Sequence, residues 1–145
     1  IKQMAIASIK DNSMMYFSCD VGKFLDRERG ILDVNYMDYG SLMGTSFGMD
    51  KKQRIQTFAS GSSHAMTLMA VDIDQATGKT KKWMVENSWG PGANGGHLIM
   101  TDEWFNEYMF RLVVNKKYIT DKVKSILQQK PVRLPAWDPM FADED

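Results

Sequence analysis

The sequence predicts an α+β domain in which an antiparallel sheet is flanked by helices, and three observations point to it. Three short apolar runs, 65–73, 82–86 and 97–100, are separated only by turn-rich links, as in a β-meander. Helix-start signals stand on both sides of that block, Asp50 with Gln53 before it and Thr101-Asp102-Glu103 after it. The 145 residues, 43% of them hydrophobic, suffice for one domain with a sizeable core. No repeat, low-complexity segment or composition shift marks a second domain.

The elements follow in order. Ile1, Met4, Ala5 and Ile9 recur at helical spacing until the turn cluster Asp11-Asn12-Ser13, so a helix opens the chain. Residues 14–19 alternate as a strand, with Met15, Phe17 and Cys19 on one face and Met14, Tyr16 and Ser18 on the other. Bulk on both faces places this strand inside the sheet. Residues 20–48 carry Gly22, Gly30, Gly40 and Gly44 among charges and scattered aromatics, and read as a long loop with one helical turn at Tyr36-Met37-Asp38-Tyr39. Asp50 then caps a helix whose apolar side is Ile55, Phe58 and Ala59 and whose end is Gly61.

The meander strands come next, joined by 74–79 and by the glycine-rich 90–96. Trp104 and Phe105 belong to a helix begun by Thr101, residues 109–114 to a further strand, and Thr120-Asp121 start a short helix through Leu127. The stretch 130–145 holds three of the four prolines and reads as an extended tail ending in Asp143-Glu144-Asp145.

Charge excludes some functions. Eighteen basic and eighteen acidic side chains cancel, so no long-range field gathers nucleic acid or an anionic membrane, and a nucleic-acid function is unsupported. No run approaches the roughly 20 apolar residues of a membrane span, and Ile-Lys-Gln-Met lacks the build of a signal peptide. It also lacks an initiator methionine, so we expect a piece of a longer protein. The single cysteine, Cys19, permits no internal disulfide and favours a reducing compartment.

The chemistry lies in His64, within Ser-Ser-His-Ala-Met, and in Glu86-Asn87-Ser88-Trp89-Gly90 at the close of a strand. Alone, His64 reads as a structural histidine at a strand start and Asn87 as a turn residue. Together, one strand-turn-strand apart, they read as the downstream part of a Cys-His-Asn arrangement. An imidazole takes the proton of a thiol, and the thiolate is the nucleophile. A side-chain amide holds the ring without adding charge, and a neighbouring indole keeps water from that hydrogen bond. Cys19 does not fit the nucleophile's place, because a free cysteine on an interior strand behaves as a small inert hydrophobe.

Several further strings, in this order, carry a resemblance: Phe17-Ser18-Cys19-Asp20-Val21-Gly22-Lys23, His64-Ala65-Met66-Thr67, Val85 to Gly90, Thr101-Asp102-Glu103-Trp104-Phe105-Asn106-Glu107-Tyr108, and Pro135-Ala136-Trp137-Asp138-Pro139-Met140. Nearly end to end, the chain resembles the bleomycin hydrolase and bacterial aminopeptidase C branch of papain-like cysteine peptidases. The resemblance implies that residues 1–145 are the C-terminal portion of a papain-like domain, antiparallel and barrel-like in its sheet, with the tail 130–145 extended. It implies a catalytic histidine at His64, an orienting asparagine at Asn87 and a shielding indole at Trp89.

The family's nucleophile string, with its oxyanion-hole glutamine, has no match here. By the usual spacing the nucleophile would precede Ile1 by about 70 residues or more. The resemblance further implies peptide substrates, a missing N-terminal peptidase segment as partner, a cytoplasmic homohexamer, and no cofactor. It also implies a tail that enters the cleft, where the terminal carboxylate of Asp145 receives a substrate's α-ammonium. A solvated acidic tail is the alternative reading of that end. His97 stands where relatives usually carry an aromatic, and a packing or surface role fits it better than a metal site, since no ligand cluster accompanies it. The chain alone is expected to be inactive. The alternative is a non-catalytic binding or structural module derived from the same fold.

Overall fold

The computed structural model describes residues 1–92 and 94–141. Helix α1 (Lys2–Lys10) turns Met4, Ala5 and Ser8 inward, and the Ser8 hydroxyl donates to the Ser13 carbonyl at 2.8 Å, closing the turn into strand β1 (Met15–Cys19). The segment read as loop then forms a small hairpin, β2 (Leu25–Asp26) and β3 (Ile31–Leu32), and helix α2 (Tyr39–Met43). Helix α3 (Lys51–Gln56) begins with the expected capping box: Asp50 Oδ1 accepts the Gln53 N–H at 2.8 Å and Gln53 Oε1 accepts the Asp50 N–H at 2.9 Å. It stops before Gly61. Phe58 takes a left-handed φ of 59°, and the N–H groups of Ala59 and Phe58 return to the carbonyls of Arg54 and Ile55, a Schellman closure with phenylalanine in the position glycine usually fills.

Strands β4 (His64–Ile73), β5 (Thr80–Glu86) and β6 (His97–Thr101) form the meander. Helix α4 (Asp102–Tyr108), capped by Thr101 Oγ1 accepting the Trp104 N–H at 3.2 Å, strand β7 (Met109–Val113) and helix α5 (Asp121–Leu127) complete the order. In the tail, 130–138 carries no helix or strand, and Pro139–Phe141 forms one 3-10 turn packed against α3.

The seven strands make one sheet in the order β2-β3-β6-β5-β4-β1-β7. It is antiparallel except where β3 runs beside β6, Ile31 against Ile99. β1 lies between β4 and β7, the interior position its sequence predicts. Alternation then decides the core: Met15, Phe17 and Cys19 from β1, Met66 and Leu68 from β4, Trp83 and Val85 from β5, and Leu98 and Met100 from β6 are all buried. Helices α1 and α4 are packed against the sheet. Phe105 stacks on Trp83 with centroids 4.7 Å apart and 17° between planes, and the buried Trp104 indole donates to the Lys23 carbonyl at 2.7 Å.

Two joints shape one rim of the sheet. β4 begins there and β5 ends there. The β2–β3 turn also docks on β6 and on Asn94: the Ile99 N–H donates to the Gly30 carbonyl at 2.8 Å, and a Cβ on Gly30, which sits at φ 67°, would fall 2.5 Å from Asn94 Nδ2.

Candidate active site

Strand register brings His64 and Asn87 together. Thr67 pairs with Glu86, so continuing the ladder puts Asn87 opposite Met66 and one diagonal step from His64. The period of two that turns Met66 and Val85 inward puts His64 and Asn87 on that same face, at its rim. There His64 Nε2 lies 2.8 Å from Asn87 Oδ1.

The tautomer is set by a neighbour. Asn87 Oδ1 also accepts the Ser88 backbone N–H at 2.8 Å, which only an oxygen can do, so the amide's orientation is fixed by the main chain. An acceptor oxygen requires a donor from the ring. Nε2 therefore carries the hydrogen, and in the neutral ring it is Nδ1 that holds the lone pair with which an imidazole takes a proton. The Asn87 N–H donates to the Gly96 carbonyl at 2.8 Å, which ties the strand end to the glycine-rich loop.

Trp89 lies beside the pair, its ring centroid 5.1 Å from that of His64 with the planes tilted by 33°. At 47% exposure, the indole packs beside His64 and still faces solvent. Arg27, from the β2–β3 turn, places its guanidinium carbon 4.9 Å over the Trp89 ring. Two hollows flank Asn87. One, of about 200 Å³, is lined by Trp89, Arg27, Asn94 and His97; the other, of about 350 Å³, by Tyr16, Ala65, Thr67, Glu86 and Ser88.

Cys19 faces His64 across the β1–β4 ladder, yet its side chain is fully buried. Burial, reinforced by the adjacent Asp20 carboxylate, pushes its thiol up to about 12, so it holds almost no thiolate at neutral pH. Asp20 itself is buried and accepts from the Ser60 hydroxyl at 2.7 Å. Asp145, the candidate for receiving an ammonium group, lies outside the described residues. His97 is half-buried and lines the smaller hollow, in no metal-ligand cluster among the described residues. Arg27 was not legible as a site residue: it lies in a charged run, and only the pairing of β3 with β6 carries its turn to the rim.

Comparison with known proteins gives the family. The model of the Peptidase C1-like family matches residues 1–141, and the chain belongs to that family. It is 45% identical to mouse bleomycin hydrolase, with 98% of this chain and 32% of that protein aligned, and 44% identical to the human bleomycin hydrolase over the same shares. It is 38% identical to aminopeptidase C of Lactococcus lactis, with 97% of this chain and 32% of that protein aligned. Among solved structures it superimposes on PepW from Lactobacillus rhamnosis with a TM-score of 0.89 at 37% identity, covering 97% of this chain and 32% of PepW. The chain thus spans about a third of the length of the curated relatives it matches, and its fold is the α+β fold of a papain-like aminopeptidase.

Proposed function

We propose that this chain supplies the base and the orienting residue of a cysteine aminopeptidase whose nucleophile lies in a preceding segment. The observation that carries the reading is the 2.8 Å contact between His64 Nε2 and Asn87 Oδ1, which leaves Nδ1 as the open base. In this reading Nδ1 takes the proton of the cysteine thiol, and the thiolate sulfur bonds to the substrate's carbonyl carbon. The carbon–nitrogen bond then breaks as the same proton passes to the leaving amine. Water, deprotonated by His64, attacks the resulting thioester, releases the N-terminal residue as its acid and returns the proton to sulfur. Asn87 keeps the ring in place through both halves, and Trp89 keeps water off their bond.

The names of the relatives support an aminopeptidase of the bleomycin hydrolase kind. By the same resemblance, residues 1–145 are the C-terminal portion of the peptidase domain, 130–145 its tail, and the parent a cytoplasmic homohexamer. The Asp145 carboxylate would hold a substrate's α-ammonium and limit cleavage to the amino end. The isolated chain, with a base and no thiolate, is catalytically silent.

The test is hydrolysis of aminoacyl-coumarin amides by the full-length protein that contains this chain. We expect His64→Ala to lower kcat by about 10³-fold or more, and Asn87→Ala by about 10- to 100-fold with thermal stability nearly unchanged. The 145-residue chain alone should give no turnover. Full-length turnover indifferent to His64→Ala would overturn the assignment. A full-length protein that binds peptides without cleaving them would favour the non-catalytic module.

A further inference from the structure

The hollow beside Trp89 is built from two separate pieces of chain. One wall is the β2–β3 turn with Arg27, the other Gly90 to Gly92 with Asn94 and the first residue of β6, His97. The joint at Gly30 holds the walls together, through the hydrogen bond from Ile99 and the close seating of Asn94. This is a fixed recess of about 200 Å³, large enough for a carboxylate and a small side chain.

Its charge comes from Arg27. Within the turn, Asp26 accepts the Arg29 N–H at 3.0 Å and lies 3.6 Å from the Arg29 guanidinium, so Asp26 is engaged by Arg29, and the turn's other carboxylate, Glu28, forms no ion pair with Arg27 among the described residues. Arg27 has no ion pair or hydrogen bond among the described residues; its guanidinium carbon lies over the Trp89 ring. Contact with an aromatic face leaves the N–H fork available, and that fork matches a carboxylate in two parallel bonds. His97 and Asn94 add hydrogen-bonding groups at the opposite wall.

Position relative to the proposed chemistry gives the recess a role. His64 must hand its proton to the leaving amine, so the released part of the substrate lies against His64 and Trp89. We propose that Arg27, with His97 and Asn94, receives a carboxylate carried by the residue on the leaving side of the cut bond. That anion is the C-terminus of a dipeptide or an acidic side chain next to the scissile amide. The inference rests on the peptidase reading of the same rim. It makes Arg27 a specificity-determining residue, favouring very short or acidic substrates over long neutral ones.

The experiment compares, in the full-length protein, Ala-Ala with free C-terminus, Ala-Ala amide, Ala-Asp amide and alanyl-coumarin amide, for wild type, Arg27→Gln and Arg27→Lys. We expect Arg27→Gln to lower kcat/KM about tenfold for the two anionic substrates, mainly through KM, and less than twofold for the two uncharged ones, with Arg27→Lys restoring part of the difference. Loss confined to Ala-Ala would name the C-terminus as the anion, and loss confined to Ala-Asp amide the side chain. Equal loss on all four, or none, would overturn the proposal; equal loss would leave Arg27 as a brace for Trp89. Calorimetric titration of full-length His64→Gln with Ala-Ala, Ala-Asp amide and Ala-Ala amide reads binding without turnover. Whichever of the two anionic ligands carries the recognised carboxylate should bind about tenfold more tightly than Ala-Ala amide, and Arg27→Gln should abolish the preference. If wild type cleaves nothing while that preference stands, the peptidase reading fails and the carboxylate site survives. If cleavage is normal and the preference is absent, the reverse holds.

Discussion

At the scale of single residues, one neighbour decides between two chemically different cysteines. A thiol beside an imidazole at an open rim becomes a nucleophile; a thiol sealed beneath it does not. Cys19 is of the second kind, with its thiol pushed up to about 12 by burial and by Asp20. At pH 8 its thiolate fraction is on the order of 10⁻⁴. Iodoacetamide should therefore label the native 145-residue chain at least about 10³-fold more slowly than the same chain in concentrated guanidinium, as followed by intact mass. Equal rates would mean that the β1 core opens readily. The sequence made this legible, since alternation put Cys19 on the inner face with Met15 and Phe17. Alternation and motif likewise located His64 and Asn87. Arg27 left no such trace, because cation–π contacts have no spacing rule.

At the scale of elements, α4 shows how one carboxylate joins three parts of the chain. Asp102, in the first turn of α4, accepts from the Lys2 ammonium of α1 at 2.7 Å, from the Thr80 hydroxyl and, at 3.1 Å, from the Trp83 indole of β5. Burial alone would raise its pKa, but the hydrogen bonds from Lys2, Thr80 and Trp83, with the lysine's charge, outweigh it and hold the carboxyl below its ordinary value. The folded state therefore binds this proton more weakly than the unfolded chain does. The stabilisation is complete above the unfolded pKa and is lost as pH falls through the folded one. Asp102→Asn should cost about 1–2 kcal/mol at pH 7, and the gap to wild type should close as the pH drops below about 4, measured by urea denaturation at each pH. A gap independent of pH would assign the effect to packing. Sequence signals were enough for α4 and α3, whose caps are local. They failed for β2 and β3, because strands of two residues carry no period, and it is β3 alone that distant β6 holds in the sheet.

At the scale of the whole molecule, the sheet is well covered on the side of α1 and α4 and bare elsewhere. Leu42, Met43, Phe47 and Phe58 are exposed around α2 and α3, and Val132, Trp137 and Phe141 along the tail. Apolar surface of this extent favours association. The isolated chain should show a weight-average mass that rises with concentration by sedimentation equilibrium, and the full-length protein should hide these side chains from a hydrophobic dye. A strictly monomeric, dye-silent chain would count against the reading that it needs its missing segment. The order of the meander was readable because β4, β5 and β6 each pair with the next strand in sequence, and α3 and α4 because their caps are local. The parallel pairing and the left-handed Phe58 were not, since both depend on what the chain meets after it has collapsed.

The hydrogen bond from the Ser88 main chain to the Asn87 amide has a consequence for how this site tolerates change. Since the peptide group, and not the serine hydroxyl, decides which end of the amide meets the imidazole, the side chain at 88 is free to drift while the geometry is inherited intact. One substitution is barred. A proline there has no N–H to give, and with it the amide would be free to rotate, offering hydrogens where the ring needs an acceptor.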